Sequence, residues 1–165
     1  MALSEAEWQR VRAAFEPRLR TASGERRQVA AAIAIIEGEV GQRAGTAVHQ
    51  RREPNGGDPT QLDCIDESVN TWTYLTMLAT DGLLDGYRVG SIEHGGSLLS
   101  FDMRNTAVIE HELTGAQYAV DPWLVDAGVP PPILPLSTWL ASWPPEIPGS
   151  ASTPAQPASR ASALP

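Results

Sequence analysis

The chain has 165 residues, a length that favours one domain around a single hydrophobic core. Its net charge is −8, its basic residues are twelve Arg without a Lys, and it holds one cysteine. This composition disfavours a nucleic-acid partner and excludes an internal disulfide, and no apolar run is long enough to span a membrane. We therefore expect a soluble, cytoplasmic protein with neither nucleic-acid nor membrane partners.

Two amphipathic helices are predicted in the first third of the chain. Ser4 and Glu7 have the spacing of a capping box, and apolar residues follow at helical intervals until Pro17 kinks or ends the helix. A second helical pattern opens near Ser23 and stops at Gly45. The Arg residues of this region alternate with Glu, which is typical of a solvated helix face.

The third predicted helix carries the only cysteine. Residues 46–62 lack apolar periodicity and form a predicted loop, after which Asp63 can cap a helix that ends near Asp81 and Gly82. Its apolar residues predict the side that packs on the protein, which consists of Ile65, Val69, Trp72, Leu75, Thr76 and Leu78. Cys64 would then be the first residue of this helix.

Short strand-like runs follow the third helix. YRVGSIEH, SLLSFDMRN, TAVIEHEL and QYAVDPWL are rich in β-branched and aromatic residues, with breaks at HGG, at Arg104-Asn105 and at residues 114–116. Helices followed by strands predict an α+β fold in which an antiparallel sheet packs on the cysteine-bearing helix. Beyond Asp126, Trp139, Leu140 and Trp143 can anchor a short helix. Residues 1–148 form the predicted domain, and 149–165 a disordered Pro/Ala/Ser-rich tail.

Cys64 is either a buried small hydrophobe or a nucleophile. A helix N-terminus stabilises a thiolate by its unpaired N–H groups and its dipole. The acidic neighbours Asp63, Asp66 and Glu67 oppose that negative charge. An imidazolium beside Cys64 would overcome their effect, so the role of this cysteine depends on whether one of the three histidines lies next to it.

His111 is the histidine that fits a catalytic role. It lies in the apolar alternation of its strand, whereas His49 and His94 lie in loop-like sequence and are read as structural or solvated. If the turn after it holds three residues, His111 pairs with Ala119, and Asp121 becomes its diagonal neighbour on the same face. The alternatives are a core histidine bonded to a backbone carbonyl and an aspartate that caps a turn.

Residues 61–123 resemble the transglutaminase-like branch of the papain-like cysteine enzymes. The likeness is carried by DCIDESVNTWTYLTMLATDGLLDGYRVG, a helix with an N-terminal cysteine that runs into a first strand, and by EHELTGAQYAVDPWL. It implies a papain-like α+β core with Cys64 as nucleophile, His111 as base and Asp121 as the residue that orients the base. The amide of Gln61 is a candidate oxyanion donor beside the Cys64 N–H.

These residues predict a cysteine-dependent amide hydrolase or acyl-transferase. Its substrate would be a peptide, isopeptide or glutamine amide, attacked through a thioester on Cys64, without a cofactor. One alternative is a catalytically inactive module of this fold that binds a peptide or a partner protein. Another is a metal site of Cys64, His111, Asp121 and Glu110 or Glu112, which is disfavoured because strand alternation turns both glutamates away from His111.

Overall fold

The structure is a computed structural model that describes residues 3–47, 62–96 and 103–141. Most of the predicted loop at 46–62, the Gln61 side chain, His49 and the predicted tail at 149–165 lie outside these ranges. Within them, no helix is long and apolar enough to cross a bilayer.

The caps predicted from sequence define the three long helices. Helix α1 spans Glu5–Ala13 and begins with the Ser4 capping box, and α2 spans Ala22–Ala44 and ends at Gly45, whose positive φ of 79° suits glycine. Helix α3 spans Cys64–Thr80, and the Asp63 carboxylate accepts hydrogen bonds from two backbone N–H groups of its first turn. These local predictions are confirmed.

Four antiparallel strands follow in sequence order across one sheet. They are β1 (Tyr87–Gly95), β2 (Arg104–His111), β3 (Gln117–Val120) and β4 (Ile133–Pro135). A 3-10 turn at Pro122–Leu124 follows β3, and a short helix α4 spans Leu136–Ala141. The α+β class is therefore confirmed. The break predicted at Arg104-Asn105 is wrong, since β2 begins there, and β4 was not predicted.

The sheet packs helices on both faces. Ala107 and Ile109 of β2 belong to the main core, which they share with α1, α2 and α3. Val108 points to the other face, where it packs with Ala119 and with Trp139 of α4. Because side chains alternate along a strand, neighbouring residues of β2 or β3 point to opposite faces of the sheet, one toward the main core and the next toward α4.

The predicted packing side of helix α3 is correct in its second half and wrong in its first half. Leu75 and Leu78 are buried as expected, but Ile65, Val69 and Trp72 are 58%, 48% and 40% exposed. The buried positions of the helix include four polar residues, Glu67, Ser68, Thr71 and Tyr74. The sequence pattern failed for Ile65, Val69 and Trp72 because the core-facing side of this part of the helix is polar, which apolar periodicity does not detect.

Strand β1 contains a bulge at Gly90 and Ser91. Val89 pairs with Ile109 and Ile92 with Ala107, so β1 holds one more residue than β2 between these pairs. The indole Nε1 of Trp72 donates to the Gly90 carbonyl at 3.0 Å. Helix α3 is thereby connected to β1 at the bulge.

Candidate functional site

Cys64 lies at the N-terminus of α3, beside the start of β2. Its side chain is half-buried, and the thiol Sγ lies 3.9 Å from the carbonyl oxygen of Met103. The N–H group of Asn105 also interacts with the sulfur. The cap at Asp63 and the packing of α3 on β2 together fix this position.

The surroundings of Cys64 disfavour its thiolate. Burial is the main cause that raises the pKa of the Cys64 thiol, and the carboxylates of Asp63 and Asp121 raise it further. The backbone N–H groups of Asn105 and of Cys64 itself act in the opposite direction without offsetting the increase. The helix terminus alone therefore does not activate this cysteine.

The predicted register between β2 and β3 is wrong. Ile109 pairs with Tyr118 and Val108 with Ala119, and the N–H of His111 donates to the carbonyl of Ala116 at 2.8 Å. The turn thus holds four residues, 112–115, and Gly115 supplies a positive φ of 68°. The shift from the predicted pairing is three residues, an odd number, which places Asp121 on the opposite face from His111.

His111 lies far from Cys64 as well. It ends β2, eight residues after Met103, which corresponds to roughly 25 Å along a strand. Its Nδ1 is 2.9 Å from the Thr114 hydroxyl, and its ring meets Tyr87 edge-to-face at 5.2 Å between centroids. The structure therefore does not bring the predicted base to the thiol, and these contacts give His111 a place in the β2–β3 turn.

Asp121 is buried at the end of β3 and holds α4. Its Oδ2 accepts a hydrogen bond from Trp139 Nε1 at 2.7 Å, and its side chain is 2% exposed. Burial raises the pKa of Asp121 to about 7, against the opposing effects of Trp139, the Trp123 N–H and Arg104. Asp121 is near enough to Cys64 to disfavour the thiolate, so of the three predicted residues only these two interact.

Two further carboxyl groups are buried behind Cys64, of which the sequence pointed to Glu67 only as an acidic neighbour of the thiol and did not point to Glu37. Glu67, one turn after Cys64, is buried. Burial is the main cause that raises its pKa to about 7, and the charges of Asp121 and Asp66 add to the increase. Burial is the main cause that raises the pKa of Glu37 on α2 well above its usual value, and the charge of Glu67 raises it further. The burial of Glu67 could have been predicted, because this residue lies at helical spacing from Leu75 and Leu78. The predicted packing side of α3 rests on the larger apolar residues, so it does not include Glu67.

A small pocket opens beside these carboxyl groups. It measures about 160 Å³ between α2 and α3 and includes Glu37, Glu67, Asn70 and Tyr74 in its lining. Burial, Glu37 and Glu67 raise the pKa of the Tyr74 hydroxyl, which therefore stays protonated. The polar side of α3 thus faces an acidic interior.

His94 and Asn105 form a cross-strand pair near the cysteine end of β2. The Nδ1 of His94 is 2.6 Å from Oδ1 of Asn105, and the two residues are register partners. Sequence reasoning missed Asn105 because it placed a strand break there. His94, which the sequence indicates to be structural or solvated, is exposed and hydrogen-bonded to Asn105.

The described ranges offer no cluster of three or more His, Cys, Asp and Glu residues that could hold a metal. Glu110, one of the ligands considered, is paired with Arg88 instead. The Gln61 amide lies outside the described residues. A thiol beside backbone N–H groups and carboxyl groups is what the structure supplies at this site.

Comparison with protein-family models, with curated proteins and with solved structures finds no match for the chain. The likeness to transglutaminase-like enzymes therefore stays a hypothesis that rests on the motifs around Cys64 and Asp121.

Proposed function

We propose that the protein is a non-catalytic module, with a core arranged like that of the transglutaminase-like enzymes, which binds a peptide or a partner protein. The observation that supports this function best is the separation of His111 from Cys64. A thiol nucleophile requires a base or a cation within hydrogen-bond reach, whereas the charged groups of the described part of the chain that act on Cys64 are the carboxylates of Asp63 and Asp121.

The electrostatics favour the same function. Acyl transfer through a thioester needs the thiolate at neutral pH, whereas burial, Asp63 and Asp121 all raise the pKa of Cys64. Asp121 is engaged with Trp139 and so serves the packing of α4. A binding module needs neither a thiolate nor an oriented base.

One observation favours a second candidate, the cysteine-dependent amide hydrolase or acyl-transferase. Cys64 begins a helix, and the N–H groups of Cys64 and Asn105 both favour its charged form. In that function Cys64 would attack an amide carbonyl, the leaving amine would take a proton, and water or an amine would release the acyl group. The base would have to be a residue other than His111.

The pH dependence of Cys64 alkylation separates the two candidates. Because Cys64 is the only cysteine, iodoacetamide incorporation by the intact protein reports this thiol alone, and a Cys64→Ser variant gives the background. For a binding module we expect an apparent pKa above that of a small-molecule thiol and slow modification at pH 7. Rapid modification at pH 6 would reject this function and favour the enzyme.

A further inference from the structure

The exposed side of α3 carries three large apolar residues in the first half of the helix. Ile65, Val69 and Trp72 are spaced four and three residues apart, so they lie along one side of the helix. Trp72 is held in place, since its indole N–H donates to the Gly90 carbonyl in β1. An ordered tryptophan with 40% of its surface exposed is unusual on a helix that already buries another side.

Beside Trp72 lies an open edge of the sheet. Strand β1 ends the strand order, and within the described ranges it has a neighbour on one side only. The N–H of Glu112 donates to the Gly86 carbonyl, while the N–H of His111 points the other way, to Ala116. Antiparallel pairs alternate, so Tyr87 and Val89 direct their N–H and C=O groups away from β2.

Trp72, at the end of this apolar side, and the open edge of β1 border one groove. It measures about 550 Å³ and is lined by Trp72, Thr76 and Thr80 of α3, by Leu84, and by Tyr87 to Gly90 of β1. A second surface pocket, of about 370 Å³, is also lined by Trp72, Thr76 and Thr80, together with Trp8 of α1. Proteins can bind an extended peptide by adding it as a further strand to the exposed edge of a sheet. A helix beside that edge can contact the alternate side chains of the added strand.

The charges around the groove indicate which side chains the bound peptide would carry. Residues 62–96 and 103–141 together carry ten Asp and Glu against two Arg, namely Arg88 and Arg104. Of the charged residues that line the groove, Arg88 is neutralised by its ion pair with Glu110, so Glu112 is the side chain that sets the charge there. An added strand would turn alternate side chains toward Trp72 and toward Glu112.

We propose that the groove between α3 and β1 binds an extended segment of a partner protein in which apolar residues alternate with Lys or Arg. The segment pairs with the free N–H and C=O groups of Tyr87 and Val89, places its apolar residues against Trp72, and places its basic residues near Glu112. This inference rests on the proposed binding function and names its site and partner class. A second copy of this chain fits less well, because each copy carries a net charge of −8.

Titrations with dye-labelled octapeptides test the proposal by fluorescence anisotropy. The probe is acetyl-(Val-Lys)4-amide, and its matched controls are acetyl-(Val-Glu)4-amide and a (Val-Lys)4 peptide in which the four Val amides are N-methylated. In an antiparallel pairing the Val residues lie opposite Tyr87 and Val89 and direct their N–H groups at β1, so we expect the N-methylated peptide to bind about tenfold more weakly. The Glu peptide should not bind at all.

Protein variants locate the binding surface. Trp72→Ser and Val89→Pro should each weaken binding by about tenfold, the first by removing the apolar anchor and the second by removing an outward N–H. The matched control is Leu140→Ser on α4, since Leu140 is 45% exposed on the other side of the sheet. That variant should bind within about twofold of the unmodified protein.

Three results would overturn the inference. They are equal binding by the Trp72 and Leu140 variants, equal binding of the methylated and unmethylated peptides, and a dimer in sedimentation that Val89→Pro dissociates. The peptide comparison holds even where a variant fails to fold. If Cys64 is unreactive and the peptide does not bind, the proposed function stands and this site is wrong; rapid alkylation at pH 6 rejects the function itself.

Discussion

Asp121 accepts its hydrogen bond from the indole of Trp139, at 2.7 Å, and not from an imidazole. This bond joins the end of β3 to helix α4 in the layer opposite α3. The residue that the sequence motif assigns to orienting a catalytic histidine therefore stabilises packing.

Asp121→Asn tests this role directly. The amide oxygen can accept the same hydrogen bond from Trp139, and the variant removes a carboxylate that burial disfavours. We expect thermal stability at pH 8 to be unchanged or higher. Cys64 alkylation should be slightly faster, because Asp121 is one of the groups that raise the pKa of the thiol.

Trp139→Phe provides the complementary variant. It keeps an aromatic ring but leaves the buried carboxyl without its indole donor, which should cost about 1–3 kcal/mol of the free energy of unfolding. Chemical denaturation of both variants gives the comparison. A large loss of alkylation rate in Asp121→Asn, with stability retained, would restore the catalytic role of Asp121.

Stability should fall as the pH rises from about 5 to 8. The pKa values of Asp121 and Glu67 are about 7 in the folded protein, whereas in an unfolded chain these groups titrate near pH 4. Between those values the folded protein retains protons that the unfolded chain has released, so each group removes stability as the pH rises through 7. The decrease in stability falls mainly between pH 5 and 7 and levels off above the pKa of the folded protein, where both states have lost these protons.

Melting temperatures measured at pH 5.5 and at pH 8 check this dependence. The protein should melt at a higher temperature at pH 5.5, and a double variant of Asp121→Asn and Glu67→Gln should show a smaller difference. An increase in melting temperature with pH over this range, in the unmodified protein, would contradict the burial of these two carboxyl groups.

The fold was predictable where neighbouring residues in the chain decide it. The cap at Asp63 and the end at Gly45 depend on a few adjacent residues, and both were predicted correctly. The register at Ala116 was not, because one additional residue in a turn reverses the face of every residue beyond it. Cys64 was thus placed correctly at its helix terminus, and His111 was not placed correctly relative to it.

His111→Ala should leave the chemistry of Cys64 unchanged. The imidazole contacts Thr114 and Tyr87, so its removal should lower the free energy of unfolding by about 1 kcal/mol through loss of these contacts. The alkylation rate of Cys64 between pH 5 and 9 should follow that of the unmodified protein. A tenfold decrease would mean that His111 does act on the thiol.

A pair of truncations on α3 tests which side of the helix is packed. Leu75 is fully buried, so Leu75→Ala should cost about 2–5 kcal/mol, whereas Val69→Ala on the exposed side should change stability by less than about 0.5 kcal/mol. Urea denaturation of both variants measures the two values. Similar losses in the two variants would show that Val69 is packed as the sequence pattern predicted.

The bulge at Gly90 and Ser91 holds Trp72 in place. Because Val89 and Ile92 each pair with a β2 residue of the main core face, the additional residue is what lets positions of opposite parity face the same layer. A chain that lost Ser91 would pair Gly90 with Val108 in a regular ladder and would keep both Tyr87 opposite His111 and His94 opposite Asn105. In that ladder the Gly90 carbonyl would turn toward β2, because the neighbouring pair of Val89 and Ile109 is not hydrogen-bonded, and the Trp72 indole would lose its acceptor. Deletion of Ser91 should therefore free the Trp72 side chain while the strand pairing on either side of it is retained.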